Sequence, residues 1–154
     1  MEITDLLDPS GVFANLRVTS KRQALQELAR RASAIAGMDE YKIFETLWER
    51  EQLGTTGVGS GTAVPHGRLA GLPRPMALFA RLEKPLDFDA IDGQPVDLIF
   101  LLLTPAEAGA DHLKALASLS RLLRNRVVSS KLRGTDSADA IYSLLIDRAT
   151  SHAA

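Results

Sequence analysis

The sequence predicts a single α/β domain in which helices pack against a β-sheet. Amphipathic segments of helical period alternate with short apolar segments of strand length along the whole chain. The 154 residues are the size of one ordinary domain, and no repeat, low-complexity segment or long linker divides them. We therefore expect one domain over residues 1–150, followed by a frayed tail at residues 151–154.

The N-terminal segment predicts a short helical piece, a turn at Asp8-Pro9 and a strand over Gly11–Val18. Ser20 is a favourable N-cap for the helix that follows, and Gly37 ends that helix where glycine is preferred. The apolar side of this helix comprises Ala24, Leu25, Leu28, Ala29, Ala32, Ile35 and Ala36.

A second helix is predicted from the N-cap Asp39 to about Leu53, with Gly54 as its stop. Two short strands are expected in the glycine-rich segment that follows, at Thr55–Val58 and Thr62–Val64. The expected buried face of the helix consists of Ile43, Phe44, Leu47 and Trp48.

The C-terminal half predicts two longer strands and two further helices. Met76–Leu82 has the pattern of a strand, and Val96–Leu103 is apolar almost throughout, as in a strand covered on both faces. The helices are expected over Asp111–Leu123 and Ser137–Ala149. In the last helix the side chains predicted to face inward are Ala138, Ile141, Tyr142 and Leu145.

Composition and charge exclude several classes of protein. The net charge of −1 gives no electrostatic basis for a nucleic-acid partner. The absence of cysteine excludes disulfides, thiolate metal sites and thiol catalysis. The acidic N-terminus lacks a signal-peptide pattern, and the longest apolar block, Leu98–Leu103, is far shorter than the roughly 20 residues that span a bilayer. We expect a soluble cytoplasmic protein without membrane insertion.

The run from Arg50 to His66 is the most informative segment for function. It reads R-E-Q-L-G-T-T-G-V-G-S-G-T-A-V-P-H, and its glycines allow backbone N–H groups to approach an anion closely. Pro65 stiffens the backbone before His66, and an imidazole with an ordinary pKa near 6.5 keeps one nitrogen unprotonated at neutral pH. These features predict that His66 accepts a phosphoryl group. The donors expected beside it are those of Arg50, Thr55, Thr56 and Gly57.

A second histidine is a candidate partner for the first. His112 lies in the first turn of the predicted third helix, where the helix dipole lowers an imidazole pKa and favours anions. It would donate a hydrogen bond to a phosphoryl oxygen, although a packing role at the edge of that helix's apolar stripe also fits. Arg68 is a weaker candidate for phosphate contact, and His152 in the tail is expected to be idle.

Other interpretations of these motifs remain open. A nucleotide site at Gly57, Gly59 and Gly61 lacks both a P-loop lysine and a following helix start. A serine nucleophile at Ser60 lacks the strand and helix that such an elbow needs. An ordinary surface histidine is the alternative interpretation of His66, and a metal site with His112 would need a third ligand such as Asp111.

The chain resembles enzyme IIA of the fructose/mannitol class of the bacterial phosphoenolpyruvate-dependent phosphotransferase system. The pattern of that family is R-E-x-x-G-S/T-T-G-I-G-x-G-I/V-A-I/V-P-H, and the departures at Thr55 and Thr62 are mild. The likeness covers essentially the whole chain. Within the family, the chain is most similar to the stand-alone nitrogen-regulatory branch, whose members have no fused IIB or IIC domain. Members of that branch often carry strings like two found here, H-G-R-L and F-A-R-L-E-K-P-L-D-F-D-A-I-D-G-Q-P-V-D.

This resemblance implies a mixed β-sheet flanked by helices on both faces, and no cofactor or metal. It implies that His66 accepts a phosphoryl group from a phosphohistidine on a carrier of the NPr or HPr type. It further implies that His112 supports the phosphoryl group and that Arg50 lies at the site.

Three functions are compatible with these observations. The favoured one is a regulatory phosphocarrier whose phosphorylation state controls partner proteins. The alternative is a sugar-transport EIIA that passes phosphoryl to a fructose/mannitol-class EIIB domain. The third is a binding module whose histidine is never modified.

Overall fold

The computed structural model describes residues 2–153, with side chains described for residues 2–147. The described residues form a mixed β-sheet with helices on both faces, which confirms the predicted fold class. The strands are β1 (Leu7–Leu16), β2 (Gly57–Gly59), β3 (Thr62–Ala63), β4 (His66–Leu69), β5 (Met76–Leu86) and β6 (Val96–Pro105). The helices are α1 (Ile3–Leu6), α2 (Lys21–Ala36), α3 (Glu40–Leu53), α4 (Ala110–Arg124), α5 (Arg126–Arg133) and α6 (Ala138–Ala153).

Strand β6 is the centre of the sheet, whose order is β1-β5-β6-β3-β2. On one side β6 pairs antiparallel with β5, which in turn pairs parallel with β1. On the other side it pairs parallel first with β3 and then, further along, with β4. The register of the last pair sets His66 opposite Leu102 and Arg68 opposite Thr104.

The predicted double coverage of β6 is confirmed, because alternate residues of this strand belong to two separate cores. Ile99, Leu101 and Leu103 pack in the cluster formed with α2 and α3. Leu98, Phe100 and Leu102 pack in the cluster formed with α4, α5 and α6. A continuous apolar run is what a strand buried on both faces requires.

The predicted boundaries of α2 and α3 are confirmed. Ser20 accepts a hydrogen bond from the N–H of Gln23, and Gly37 ends α2 in the left-handed region at φ 68°. Asp39 caps α3 in the same manner as Ser20 caps α2. One core assignment is wrong: Ile35 is exposed, because it lies at the edge of the predicted stripe.

The aromatic side chains of α3 lie at the border of the core rather than inside it. Phe44 and Trp48 are half-buried, and their rings stack with centroids 5.8 Å apart. The guanidinium of Arg22 lies 5.4 Å from the Trp48 ring. Cation–π contacts of this kind join the N-terminal turn of α2 to α3.

Other elements differ from the prediction. The expected turn at Asp8-Pro9 is the irregular start of β1, where Asp8 accepts bonds from the N–H and hydroxyl of Ser10. Strand β4 and helix α5 were not predicted. Helix α5 is capped by Asn125, and its Arg133 pairs with Asp97 at 2.9 Å and donates to the carbonyl of Ser60.

The C-terminal boundary also differs, since α6 continues to Ala153 rather than ending near Ala149. Fraying of residues 151–154 stays a prediction, because Ala154 and the side chains of this segment lie outside the described residues. Within residues 2–153, no helix has the length and apolar character needed to cross a bilayer.

Gly67 sets how closely β4 approaches α3. A Cβ atom at this position would lie 2.7 Å from the Cγ2 atom of Thr46. Thr46 is β-branched and its hydroxyl donates to the carbonyl of Lys42, so the side chain has little freedom to withdraw. The missing side chain therefore lets α3 lie directly against the strand that carries His66.

We expect Gly67→Ala to destabilise the protein by about 1–3 kcal/mol, the usual cost of overpacking a close contact. Urea unfolding measures the effect. Combining it with Thr46→Ser removes the clashing methyl group, keeps the hydroxyl, and is expected to restore most of the lost stability. Thr46→Ser alone is the control. A Gly67→Ala variant as stable as the parent would show that the contact is not tight.

Candidate functional site

The central residue of the candidate site, His66, begins β4 and is half-buried. The alternate residues Gly67 and Leu69 are buried toward α2 and α3. His66 and Arg68 therefore project toward the opposite face of the sheet, where α4 lies. The carbonyl of Pro65 accepts a bond from the N–H of Leu102 at 2.9 Å, which anchors the backbone next to the histidine.

The hydrogen bonds of His66 identify its tautomer. Nδ1 lies 2.9 Å from the carbonyl oxygen of Val64, and a carbonyl only accepts, so Nδ1 carries the proton. Nε2 accepts a hydrogen bond from Nε of Arg50 at 3.2 Å. The ring thus presents an unprotonated Nε2 toward a guanidinium.

His112 lies beside His66, as the sequence predicted for a two-histidine site. The two ring centroids are 5.5 Å apart and the rings are tilted by 56°. His112 is on α4 and buried, and its Nδ1 shares a hydrogen bond of 2.5 Å with the hydroxyl of Thr104 at the end of β6. The position of His112 is therefore fixed by the strand that also pairs with His66.

Both imidazoles are shifted toward the neutral form. Burial lowers the pKa of His66, the Val64 carbonyl opposes that change, and the nearby Arg50 lowers the pKa further. Burial also lowers the pKa of His112, with additional contributions from His66 and from Arg68. Desolvation disfavours a charged imidazolium, and cations nearby disfavour it again. At neutral pH the site therefore combines neutral nitrogen bases with fixed positive charge.

Two arginines supply that charge. Arg50 is in the last turn of α3, and besides His66 it contacts the carbonyl of Gly54 through Nη1 at 2.8 Å. Arg68 is exposed on β4, two residues from His66, and its charge contributes to the lowered pKa of His112. A phosphate group is a natural ligand for such guanidinium groups.

Of the three residues predicted to bind phosphate, Thr55 and Thr56 lie between α3 and β2 and Gly57 begins β2. Several of their donors already have partners. The hydroxyl of Thr55 donates to the carbonyl of Phe88 and accepts from the N–H of Gly57. The N–H and hydroxyl of Thr56 both donate to the carboxylate of Glu51. Phosphate binding by these residues stays a prediction, and it would require that these bonds be exchanged.

Sequence reasoning missed two residues that support the site. Thr104 was expected only to end a strand, yet its hydroxyl holds His112. Glu51 is buried, and it follows Ile43 and Leu47 at steps of four residues on α3. A carboxylate on the buried stripe of a helix was the available signal, since charged side chains are rarely buried unless they are paired.

The rival interpretations find less support. Gly57, Gly59 and Gly61 lie in the β2–β3 hairpin and not at a helix start. Among the described side chains, no group of three His, Asp or Glu residues could hold a metal ion. A cation at Nε2 of His66 would also face Arg50 directly. The arrangement instead suits an anionic electrophile that binds to a nitrogen nucleophile.

Comparison with known proteins places this geometry in a family. Residues 5–148 match the model of the family described as "Phosphoenolpyruvate-dependent sugar phosphotransferase system, EIIA 2". The chain belongs to this family.

Three relatives illustrate the range of the EIIA 2 family. A nitrogen regulatory protein of Bradyrhizobium diazoefficiens is 56% identical over 145 residues, covering 94% of this chain and 95% of the relative. A fructose-specific EIIA component of Haloferax volcanii is 38% identical over 151 residues, which cover 96% of this chain and 98% of the relative. The crystal structure of nitrogen regulatory protein IIA-Ntr from Neisseria meningitidis aligns with a TM-score of 0.88 and 35% identity. The alignment covers 93% of this chain and 98% of the Neisseria chain.

We expect the stability of this EIIA chain to decrease as the pH falls from about 7.5 to 5.5. Both pKa values are lower in the folded state than in the unfolded state, so the unfolded chain binds more protons in this range. The stabilising effect is fully present above the ordinary pKa near 6.5 and is lost as the pH falls through the folded values. Thermal unfolding at several pH values measures it.

The control is the double variant His66→Gln/His112→Gln, whose stability should change less over the same range. Carboxylates titrate mainly at lower pH and do not obscure the comparison. Equal pH dependence in the parent and the double variant would contradict the assignment of two imidazoles that folding shifts toward the neutral form.

Proposed function

We propose that the protein is a cytoplasmic regulatory phosphocarrier of the nitrogen-related phosphotransferase system. It accepts a phosphoryl group on Nε2 of His66 from a phosphohistidine on an NPr or HPr carrier, and its phosphorylation state controls partner proteins. The observation that carries this proposal is the bond from Nδ1 of His66 to the Val64 carbonyl, which leaves Nε2 as the nucleophilic nitrogen beside Arg50.

The proposed step forms one bond and breaks one bond. Nε2 of His66 attacks phosphorus as the bond between phosphorus and the donor histidine nitrogen breaks. The donor imidazole keeps the electron pair of that bond, and the proton on Nδ1 of His66 stays at the Val64 carbonyl. Transfer of this kind depends mainly on in-line placement of the reactants and on stabilising charge on the three equatorial oxygens.

Arg50 and His112 would stabilise that charge. Once Nε2 is bonded to phosphorus, it no longer accepts the hydrogen bond from Arg50. The Nε–H of Arg50 is then available to donate to a phosphoryl oxygen. His112, with its ring centroid 5.5 Å from that of His66, would offer a second donor through the nitrogen not bound by Thr104. Charge-assisted hydrogen bonds of this type are stronger than neutral ones.

The relatives support the regulatory role over a transport role. The Bradyrhizobium and Neisseria proteins carry nitrogen-regulatory names and cover nearly the whole chain. Phosphorylation would add about two negative charges at a half-buried position, which is enough to change which partners bind. The fructose-specific EIIA relative favours the second candidate, transfer of phosphoryl to an EIIB domain.

We expect His66→Ala to abolish phosphorylation because it removes the accepting nitrogen. The assay incubates the protein with phosphoenolpyruvate, enzyme I and the carrier, and intact-mass analysis detects the added phosphoryl group. His152→Ala is the control and should be labelled like the parent. Labelled His66→Ala protein would exclude His66 as the acceptor, and an unlabelled parent would favour the unmodified binding module.

The same labelled protein distinguishes regulation from sugar transport. Mixed with a fructose-class EIIB domain, it should lose its phosphoryl group slowly if its role is regulatory. Transfer as fast as that of a dedicated fructose EIIA would establish the transport function instead.

We expect His112→Ala to fold normally but to accept phosphoryl about 100-fold more slowly, the usual effect of removing one preorganised donor. Rapid-quench labelling measures the rate. His112→Gln keeps an N–H donor and should lose less activity than His112→Ala. Parental kinetics in His112→Ala would assign this residue to packing alone.

A further inference from the structure

A buried ion pair lies next to the candidate site. Nζ of Lys21, at the start of α2, is 2.7 Å from Oε2 of Glu51 on α3, and the two side chains are 13% and 0% exposed. Nζ of Lys21 also lies 4.9 Å from the centre of the Phe88 ring. Removing two charges from water is costly, and a buried ion pair is weak evidence for stabilisation by itself. Its contacts indicate a different role.

An unbroken series of hydrogen bonds leads from Glu51 to the nucleophile. The carboxylate of Glu51 accepts from the N–H of Thr56 at 3.1 Å and also from the Thr56 hydroxyl. The carbonyl of Thr56 accepts from the N–H of Val64 at 3.0 Å. The carbonyl of Val64 accepts from Nδ1 of His66 at 2.9 Å. One carboxylate thus holds the backbone that holds the imidazole.

We propose that Glu51, neutralised by Lys21, is a positioning residue that fixes the tautomer and the orientation of the His66 imidazole. It acts through Thr56 and Val64 and does not itself touch the phosphoryl group. Its effect on transfer rests on the proposed function, whereas its effect on the tautomer does not.

The need for a full carboxylate follows from the number of bonds that it makes. Two donors from Thr56 and one from Lys21 converge on two oxygens. A carboxamide offers one acceptor oxygen, and its NH₂ group would face either the ammonium group or the Thr56 N–H. The Thr56 segment would then shift, and the Val64 carbonyl would no longer be fixed opposite Nδ1.

Helix α3 couples this network to Arg50. Glu51 follows Arg50 directly in the chain, so the helix that orients the guanidinium toward Nε2 also carries the carboxylate that acts on Nδ1. The two nitrogens of His66 are therefore controlled by adjacent residues of one helix. A preformed tautomer is valuable because the wrong one would present a protonated nitrogen to phosphorus.

The test uses Glu51→Gln in the full chain, with Glu49→Gln, an exposed position on the same helix, as the matched control. Long-range ¹H–¹⁵N spectra of the unphosphorylated protein report which nitrogen of His66 is protonated. We expect a mixture of tautomers in Glu51→Gln and the parental Nδ1–H form in Glu49→Gln. Phosphoryl transfer should slow by about 10- to 100-fold, as for other lost orienting contacts, with little change in KM for the carrier.

A second variant separates positioning from stability. Lys21→Met/Glu51→Met removes both charges together, so that neither partner is left as an unpaired buried charge. We expect a folded protein with mixed tautomers and slow transfer, and thermal unfolding measures the stability lost with the Thr56 bonds. If Glu51→Gln does not fold, the tautomer and the transfer rate of this variant decide whether Glu51 positions His66.

The possible outcomes are distinct. Folded variants that keep the Nδ1–H tautomer and the parental transfer rate would overturn the positioning role. A parent that the carrier does not label would overturn the proposed function, and the tautomer spectra would still decide whether Glu51 positions His66.

Discussion

The parallel pairing of β4 with β6 is the constraint on which the candidate site depends. It sets His66 opposite Leu102, while Thr104, two residues further along β6, holds His112. β6 is buried on both faces, so both histidines are attached to a strand that the two cores hold in place. Two residues that are distant in sequence thus share one support, and their rings lie 5.5 Å apart.

The candidate site meets separately the two requirements of the proposed phosphoryl acceptor. Burial lowers the pKa of both imidazoles and so favours the neutral form that a nucleophile needs. Positive charge comes from arginines, which do not compete as acceptors. Arg50 reaches the site only because α3 lies tightly against β4, and the absence of a side chain at Gly67 permits that approach. The glycine at position 67, the packing of α3 and the charge of Arg50 therefore all affect Nε2 of His66.

Much of the fold could be predicted because its signals are local. Caps at Ser20 and Asp39 and the apolar run of β6 depend on neighbouring residues, and both histidines of the site were identified. Strand β4 was missed because its four residues, H-G-R-L, carry no periodic pattern and form a strand only by pairing with β6. Helix α5 was missed because its first turn contains the β-branched Val127 and Val128, which lower helix propensity. The helix is stabilised by distant contacts of Arg133 to Asp97 and Ser60.

The partners of polar groups were the least predictable part of the site. Thr55, Thr56 and Gly57 have the chemistry of a phosphate cradle, but Phe88 and Glu51 satisfy several of their hydrogen bonds. Which acceptor a donor binds depends on residues that the tertiary structure brings together. The neighbouring residues in the sequence do not identify that acceptor.

Trp48, stacked on Phe44 beneath the guanidinium of Arg22, is the one tryptophan in the chain and lies two residues before Arg50. Its fluorescence therefore arises from a single indole on the helix that also carries Arg50 and Glu51. Any rearrangement of that helix when a partner binds can be followed by this intrinsic fluorescence, without an attached label.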